Sequence, residues 1–475
     1  MVFSSSIFLF YFLPAFLICY TIFPARNAII LLFSALFYAW GEGVFLLVLV
    51  ESVLVNFIAG RMIEQSSGRG RKAALAIGVA ANLLVLFFFK YFGFFIYDVL
   101  GHASFDPAMV PHLPLGISFF TFQSISYLVD VYRREAPPAR SVWELAVYIM
   151  MFPQLIAGPI VRYASVASQI RTRKVLPEQV AHGLMFFAVG LAQKVLVANN
   201  VAGVADRVFG LAGDELSALL AWTGALFYTL QIYFDFAGYS NMAIGIGLML
   251  GFRFPKNFDY PYISQSITEF WRRWHMSLSS WFRDYLYIPL GGNRVSTATT
   301  YRNLLVVFVL CGLWHGASWT FLAWGLYHGA LLVVERLGWG RLLSRLPVVA
   351  RHCYALAAVV VGWVLFRSES FGQAGVMLGR MFGLANSTGM APGFWELVDH
   401  QELAAAALGI VAATPVARKL VTRFVTDRDV EAPSGTFSGW SWQSARDAAF
   451  VLGLVFLCAT YVVAGTYNPF IYFRF

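Results

Sequence analysis

Long apolar runs separated by short polar gaps organise the 475-residue chain. Runs suited to spanning a bilayer cover Val2–Phe23, Ala28–Ala39, Val44–Ala59, Ala73–Leu100, Leu113–Val131, Val142–Ile160 and Val180–Leu196. They continue through Ala218–Phe236, Met242–Phe252, Leu304–Trp319, Phe321–Val334, Tyr354–Phe366, Leu403–Val416 and Ala448–Val463. A membrane helix needs about 20 predominantly apolar residues, so the pattern predicts repeated transmembrane helices. Lys90 falls late in the fourth run, where its side chain is expected to snorkel toward an interface. The fifth run opens with Pro111 and Pro114 and carries Gly116, Ser118, Gln123 and Asp130, which predicts a broken or re-entrant segment. The opening MVFSSSIFLFYFLPAFLICY has neither a basic n-region nor a small-residue cleavage site, and reads as a retained first span. No fixed-period repeat interrupts residues 1–475, which read as a single polytopic domain. Thr426–Asp447, with Pro433, Gly435 and Gly439, reads as a loop.

The stretch Phe254–Asn303 breaks this pattern, because charged and aromatic residues alternate too densely for a lipid-spanning helix. Within Glu269–Leu290, Trp271, Trp274, His275, Leu278, Phe282 and Tyr285 recur every three or four positions, and Arg272, Arg273, Ser279, Ser280, Arg283 and Asp284 fill most other directions. That spacing predicts one amphipathic helix at the interface or dipping into the protein. Gly247/Gly251, Gly312/Gly316 and Gly325/Gly329 have the GxxxG spacing that lets helices approach closely in membranes.

Composition narrows the class further. Hydrophobic residues make up 59%, aromatic residues 17% and charged residues only 12%. Soluble domains carry about 25% charge, so soluble enzymes, nucleic-acid modules and disordered chains are excluded. The net charge of +9 lies mostly in the gaps Arg61–Lys72, Arg133–Arg140, Arg162–Glu178, Arg336–Arg351 and Arg418–Arg428. This is the distribution of cytoplasmic loops under the positive-inside rule, and it calls for lipid rather than nucleic acid as the partner. Cys19, Cys311, Cys353 and Cys458 are far apart and read as small apolar residues, neither disulfides nor a metal site.

Ionisable groups inside apolar runs are expensive and point to function. They are Asp130, Asp235, His275, His315 and His328, with Gln123, Asn241 and Glu269 as polar company. His315, in CGLWHGASW, has the one side chain whose ordinary pKa suits taking and returning a proton near neutrality. A packed, hydrogen-bonded histidine is the alternative there, as it is for His275 and His328. Asp235 has several open roles: orienting a histidine, pairing with an Arg of the middle segment, binding a substrate group, or sitting in a buried structural ion pair. The three histidines match no metal-ligand spacing, so no metal is expected. No GxSxG, Walker A or GxGxxG signature is present.

The block QIYFDFAGYSNMAIGIGLMLGFRFPKNFDYPYISQSITEFWRRWHMSLSSWFRDYLYIPLGGNR, followed by NLLVVFVLCGLWHGASWTFLAWGLYHG, resembles the membrane-bound O-acyltransferase (MBOAT) superfamily, especially its bacterial alginate O-acetyltransferase (AlgI-like) branch. MVFSSSIFLFYFLP, LPLGISFFTFQSISYLVDVYR and FPQLIAGPIVR are also similar to that branch. The resemblance implies an all-α, polytopic transmembrane fold, with re-entrant or interfacial amphipathic helices around a central cavity and a catalytic core at about 218–335. It implies that His315, in the LWHG motif, is the general base for an acceptor hydroxyl, and that His275, in WRRWH, positions or polarises the acyl donor. Asp235, Trp314, Trp274, Asn241 and His328 are the candidate substrate-binding residues. No bound cofactor is implied; acetyl-CoA or another acetyl donor enters as substrate. The expected location of the chain is the bacterial inner membrane, as a multi-pass protein, and the expected partner is a periplasmic or membrane-anchored polysaccharide acetyltransferase. Alginate is the expected acceptor, with cellulose, peptidoglycan or teichoic acid as alternatives. The chain closes at TYNPFIYFRF, without the longer soluble tail of some alginate members. A proton-coupled transporter of polysaccharide precursors is the non-enzyme alternative, though no two similar halves are visible.

Overall fold

The computed structural model describes residues 1–384, 389–423, 442–465 and 467–471. Among the described residues the chain is helical and contains no strand. It divides into two compact units: Met1–Ala188 with Tyr239–Lys256, and Val189–Gly238 with the described residues from 257 onward.

Six described helices are long and apolar enough to cross a membrane: Arg26–Gln65, Gly68–Val99, Pro177–Phe209, Thr297–His315, Val348–Arg367 and Ser444–Ala464. The apolar side chains they leave exposed, such as Leu47, Leu54, Leu84, Leu452 and Phe456, would be untenable in water and suit lipid.

In the first unit, α1 (Leu13–Ile22) follows a π-turn at Phe8–Phe12. Phe152 lies 5.0 to 6.2 Å, ring to ring, from Phe3, Phe8, Phe12, Phe16 and Phe37. Arg26–Gln65 spans 40 residues and would measure about 60 Å if straight, twice the hydrocarbon thickness. It is instead a hairpin of α2 (Arg26–Glu42) and α3 (Leu46–Gln65), turning where Gly43 has φ 52°. Both ends return to one neighbourhood. Asn27 Nδ2 donates to the Ile170 carbonyl (3.0 Å) and Arg61 Nη2 to the Arg140 carbonyl (2.9 Å), while Arg171 and Glu144 pair at 2.6 Å. The two runs read from the sequence are therefore two spans. Asn56 on α3 and Asn82 on α4 (Gly68–Leu86) exchange amide hydrogen bonds of 3.0 and 2.8 Å.

Two expectations change here. Lys90 does not snorkel: it is buried, and its Nζ donates to Ser118 Oγ at 3.1 Å. The run Leu113–Val131 is not broken. Gly116, at φ 79°, starts a continuous and largely buried helix, α5 (Ile117–Arg133). It is followed by α6 (Val142–Met150) and α7 (Tyr163–Thr172). The helix α8 (Pro177–Ala192) runs into a π-turn at Gln193–Ala198 that carries Lys194.

The second unit contains α9 (Asn199–Phe209) and the residues up to Gly238 of α10 (Ala218–Met249). The runs Ala218–Phe236 and Met242–Phe252 thus belong to one helix as far as Met249. Gly247 packs on the Phe254 ring, and Gly251 lies past the helix end at φ 83°, so this glycine pair is no helix–helix contact.

The expected single helix over Glu269–Leu290 is two. α11 (Ile267–Arg273) ends at Trp274, His275 takes a left-handed φ of 42°, and α12 (Met276–Phe282) continues into a π-turn at Arg283–Tyr287. Next come α13 (Thr297–His315) and α14 (Trp319–Val334). These two pack backbone to backbone: a Cβ on Gly312 would overlap the Phe321 carbonyl, and one on Gly325 would overlap the Phe308 carbonyl. Then follow α15 (Val348–Arg367) and α16 (Phe371–Met381). The run Leu403–Val416 is broken into α17 (His400–Ala412) and α18 (Pro415–Val421), bent by 89°. The loop expected at Thr426–Asp447 lies outside the described residues up to 441; from Trp442 the chain is α19 (Trp442–Ala464).

Candidate active site

His315 is the last residue of α13. Extended backbone at Gly316 and the Ser318 cap of α14 turn the chain immediately after it. A Cβ on Gly316 would strike the Phe321 ring, so glycine is required for this tight return. The buried imidazole sits edge-to-face with Trp314 (4.9 Å), Trp324 (5.1 Å) and Phe366 (5.3 Å). It also lines a narrow cavity of about 260 Å³ of atom-free space, shared with Ile232, Phe236, Trp274, Trp324, Trp363, Phe366 and Ile471. A site lined this way leaves few polar atoms to compete with a reacting group.

His275 occupies the break between α11 and α12 and is fully buried. A left-handed backbone at a residue other than glycine is held only where its surroundings fix it. Residues 257–259 do so. The Met276 N–H donates to the Asn257 carbonyl and the Asp259 N–H to the Arg273 carbonyl, each at 2.9 Å. Arg273 adds ion pairs to Asp259 (3.1 Å) and Glu269 (2.9 Å). Asn257 Oδ1 accepts from the Ser277 N–H (3.3 Å) and Oγ (2.9 Å), and lies 3.0 Å from His275 Nδ1. Because that oxygen is already an acceptor, Nδ1 carries the proton. Nε2, which has no hydrogen-bond partner, presents a bare lone pair. Burial pushes the His275 imidazole well below its usual pKa, and nearby His315 adds to the same direction.

Glu335 holds this segment from outside. Its carboxylate accepts from the Ile267 N–H (2.7 Å), the Thr268 N–H (2.9 Å) and Thr268 Oγ1 (2.6 Å), anchoring the start of α11. Glu335→Ala would strand these buried donors at a cost of about 1–3 kcal/mol. A lowered melting midpoint of the purified protein is expected; an unchanged midpoint would show that α11 needs no such anchor.

The structure gathers most of the candidate residues. The Trp314 ring lies 6.1 Å from His275 and 4.9 Å from His315, bridging the two. Trp274 lines the cavity and packs on Phe270 (5.5 Å), Phe258 (5.0 Å) and Trp363 (4.8 Å). His328 is packed in an aromatic shell, with Trp271 Nε1 donating to its Nδ1 at 3.4 Å and Gly362 against its Nε2. Asp235 is in a buried ion pair with Lys194 at 2.6 Å, one of the roles left open for it. Asn241 is half-buried on the same helix, among residues of the first unit. Among the described residues, no group of three or more His, Cys, Asp or Glu is arranged to hold a metal.

Sequence reading passed over Lys194, Asn257, Glu335, Trp363, Phe366 and Ile471. Only Lys194 carried a signal, a cation inside the apolar run Val180–Leu196. The others act through contacts with distant residues.

The family model for the membrane-bound O-acyltransferase family matches residues 133–368. A probable alginate O-acetylase AlgI of Pseudomonas putida is 41% identical over the full length of both chains. A peptidoglycan O-acetyltransferase of Helicobacter pylori is 34% identical over all of this chain and 98% of its own. A teichoic acid D-alanyltransferase of Bacillus subtilis is 29% identical over 62% of this chain and 77% of its own. With matches of this extent to acyl-transferring enzymes, the chain belongs to the membrane-bound O-acyltransferase family.

Proposed function

We propose that the protein moves an acetyl group from a cytoplasmic donor, acetyl-CoA, across the bacterial inner membrane for O-acetylation of alginate, handing it to a periplasmic or membrane-anchored acetyltransferase partner. The observation that carries the reading is His315, buried at a helix end in an apolar cavity beside a second buried imidazole. The likeness to alginate O-acetylases over the whole chain favours that polymer.

In this reading the acceptor hydroxyl gives its proton to the neutral His315 imidazole as its oxygen attacks the thioester carbonyl. The C–O bond forms, the C–S bond breaks, and the leaving thiolate takes the proton back from the imidazolium. No nucleophilic Ser or Cys takes part. His275, with Nδ1–H committed to Asn257, offers only the Nε2 lone pair. It orients a hydroxyl by accepting its hydrogen bond, and does not polarise the carbonyl by donating one. Trp274 walls the cavity, and Trp314 stands against both imidazoles.

Two measurements test this. Purified protein supplied with alginate oligosaccharide as the hydroxyl acceptor should release thiol from acetyl-CoA, and mass spectrometry should find exopolysaccharide O-acetyl groups only in strains carrying the gene. Acetylated peptidoglycan with unchanged alginate would redirect the acceptor assignment, and no thioester cleavage would refute the donor.

Asn257→Asp tests the His275 role through pH. Burial keeps wild-type His275 neutral well below its usual value. A carboxylate at Nδ1 favours the imidazolium and raises that value. A rate that needs the bare Nε2 should then fall in the variant as pH drops through neutrality, while the wild type holds. Superimposable pH–rate profiles would remove Nε2 from the mechanism.

A further inference from the structure

One wall of the histidine cavity comes from none of the helices around it. Ile471 belongs to the described segment 467–471, and its side chain lines the cavity together with His315. The segment is tied down along its length. The Tyr467 hydroxyl bonds Asp206, whose other carboxylate oxygen pairs with Arg367 at 2.7 Å. Asn199 Nδ2 donates to Asn468 Oδ1 at 3.2 Å. The last tie is the buried ion pair: Lys194 Nζ donates to the Pro469 carbonyl, and Asp235 Oδ2 accepts from the Ile471 N–H at 2.7 Å. Lys194 and Asp235, 2.6 Å apart and both fully enclosed, therefore grip the two peptide groups that flank Phe470.

A buried ion pair is weak evidence for stability, because desolvation offsets its attraction; its use has to be sought in what it positions. Here each partner spends a remaining hydrogen-bonding site on the main chain of one short segment. The segment's final described side chain then meets the reacting cavity. The other walls are Ile232, Phe236 and the rings of Trp274, Trp324, Trp363 and Phe366, and these last four interlock and have little room to yield. Ile471 is, with Ile232, one of two aliphatic walls among aromatic ones, and it is the one mounted on a segment whose place is set by two charges.

We infer that Ile471, seated by the Lys194–Asp235 clamp, sets the size limit for the acyl group in the His315 cavity, selecting acetyl over longer chains. This rests on the acyl-transfer reading of that cavity. Ile471→Ala removes three carbons from the wall and admits a longer chain. Ile471→Phe fills the space and excludes even acetyl. Lys194→Met with Asp235→Leu removes both charges together, so neither is stranded. The Pro469 carbonyl and the Ile471 N–H then lose their partners.

The test measures thiol release from acetyl-CoA and butyryl-CoA by purified full-length protein in detergent, with alginate oligosaccharide as the hydroxyl acceptor and thermal melting as the check on folding. A methylene in an apolar pocket is worth roughly tenfold or more in discrimination. The acetyl-to-butyryl rate ratio should fall by about that factor in Ile471→Ala and in the double variant, and acetyl turnover should fall in Ile471→Phe. An active wild type whose ratio is unchanged in Ile471→Ala would overturn the size limit alone. A changed ratio in Ile471→Ala with an unchanged ratio in a folded double variant would overturn the clamp. A wild type that cleaves neither thioester would refute the acyl-transfer reading and this inference with it.

Discussion

His315→Asn should reduce thioester turnover by about a thousandfold, within the range that a positioned general base contributes. The substitution keeps a neutral polar group inside the Trp314, Trp324 and Phe366 shell but removes the atom that takes and returns the proton. Neighbouring rings make most of the contacts at that position, so the variant should still purify as a folded protein with a similar melting profile. A folded variant retaining a tenth or more of the wild-type rate would show that the proton goes elsewhere, and the mechanism would fail. His328→Asn is the contrasting case. Its Nδ1 accepts from Trp271, its ring is packed against Trp324 and Tyr327, and it does not line the cavity, so a change there should act on stability more than on turnover.

The second large effect is architectural. Gly325→Ala should prevent recovery of a monodisperse folded protein. A methyl at that position points into the carbonyl of Phe308, and the Cα of Gly312 stands only 3.2 Å from it. Both obstacles are backbone, so no rotamer change relieves them and α13 and α14 must move apart. Overpacking of this kind costs typically about 1–3 kcal/mol and more where nothing can yield. The displaced element is the one that ends in His315. Gly453→Ala on α19, where a Cβ would meet nothing within 4 Å, is the matched control and should behave as wild type. Equal yields and melting curves for the two alanine variants would show that the close approach of α13 and α14 is dispensable.

The all-α membrane class, the family and the prominence of His315 were readable because each is local: an apolar run, a long motif, a histidine in an apolar setting. The alternative of a precursor transporter does not survive membership in an acyltransferase family. What the sequence hid was non-local. Aromatic spacing over 269–290 promised one helix, yet His275 turns left-handed because Asn257, eighteen residues upstream, bonds its ring and Met276. Periodicity has no access to that contact. Asp235 stood out as a buried acid, but its partners Lys194 and Ile471 lie 41 and 236 positions away. Gly43 looks like any glycine between apolar runs; only its φ of 52° shows it to be a reversal.

That reversal decides which side of the membrane every later loop occupies. Counted as one crossing, the 40-residue helix would put Arg26 and the basic linker 61–72 on opposite faces and invert the sidedness of everything that follows. With the chain turned back at Gly43, Arg26 and the linker emerge on the same face. A single glycine conformation thereby lets Arg26 and the first basic linker obey one electrostatic rule.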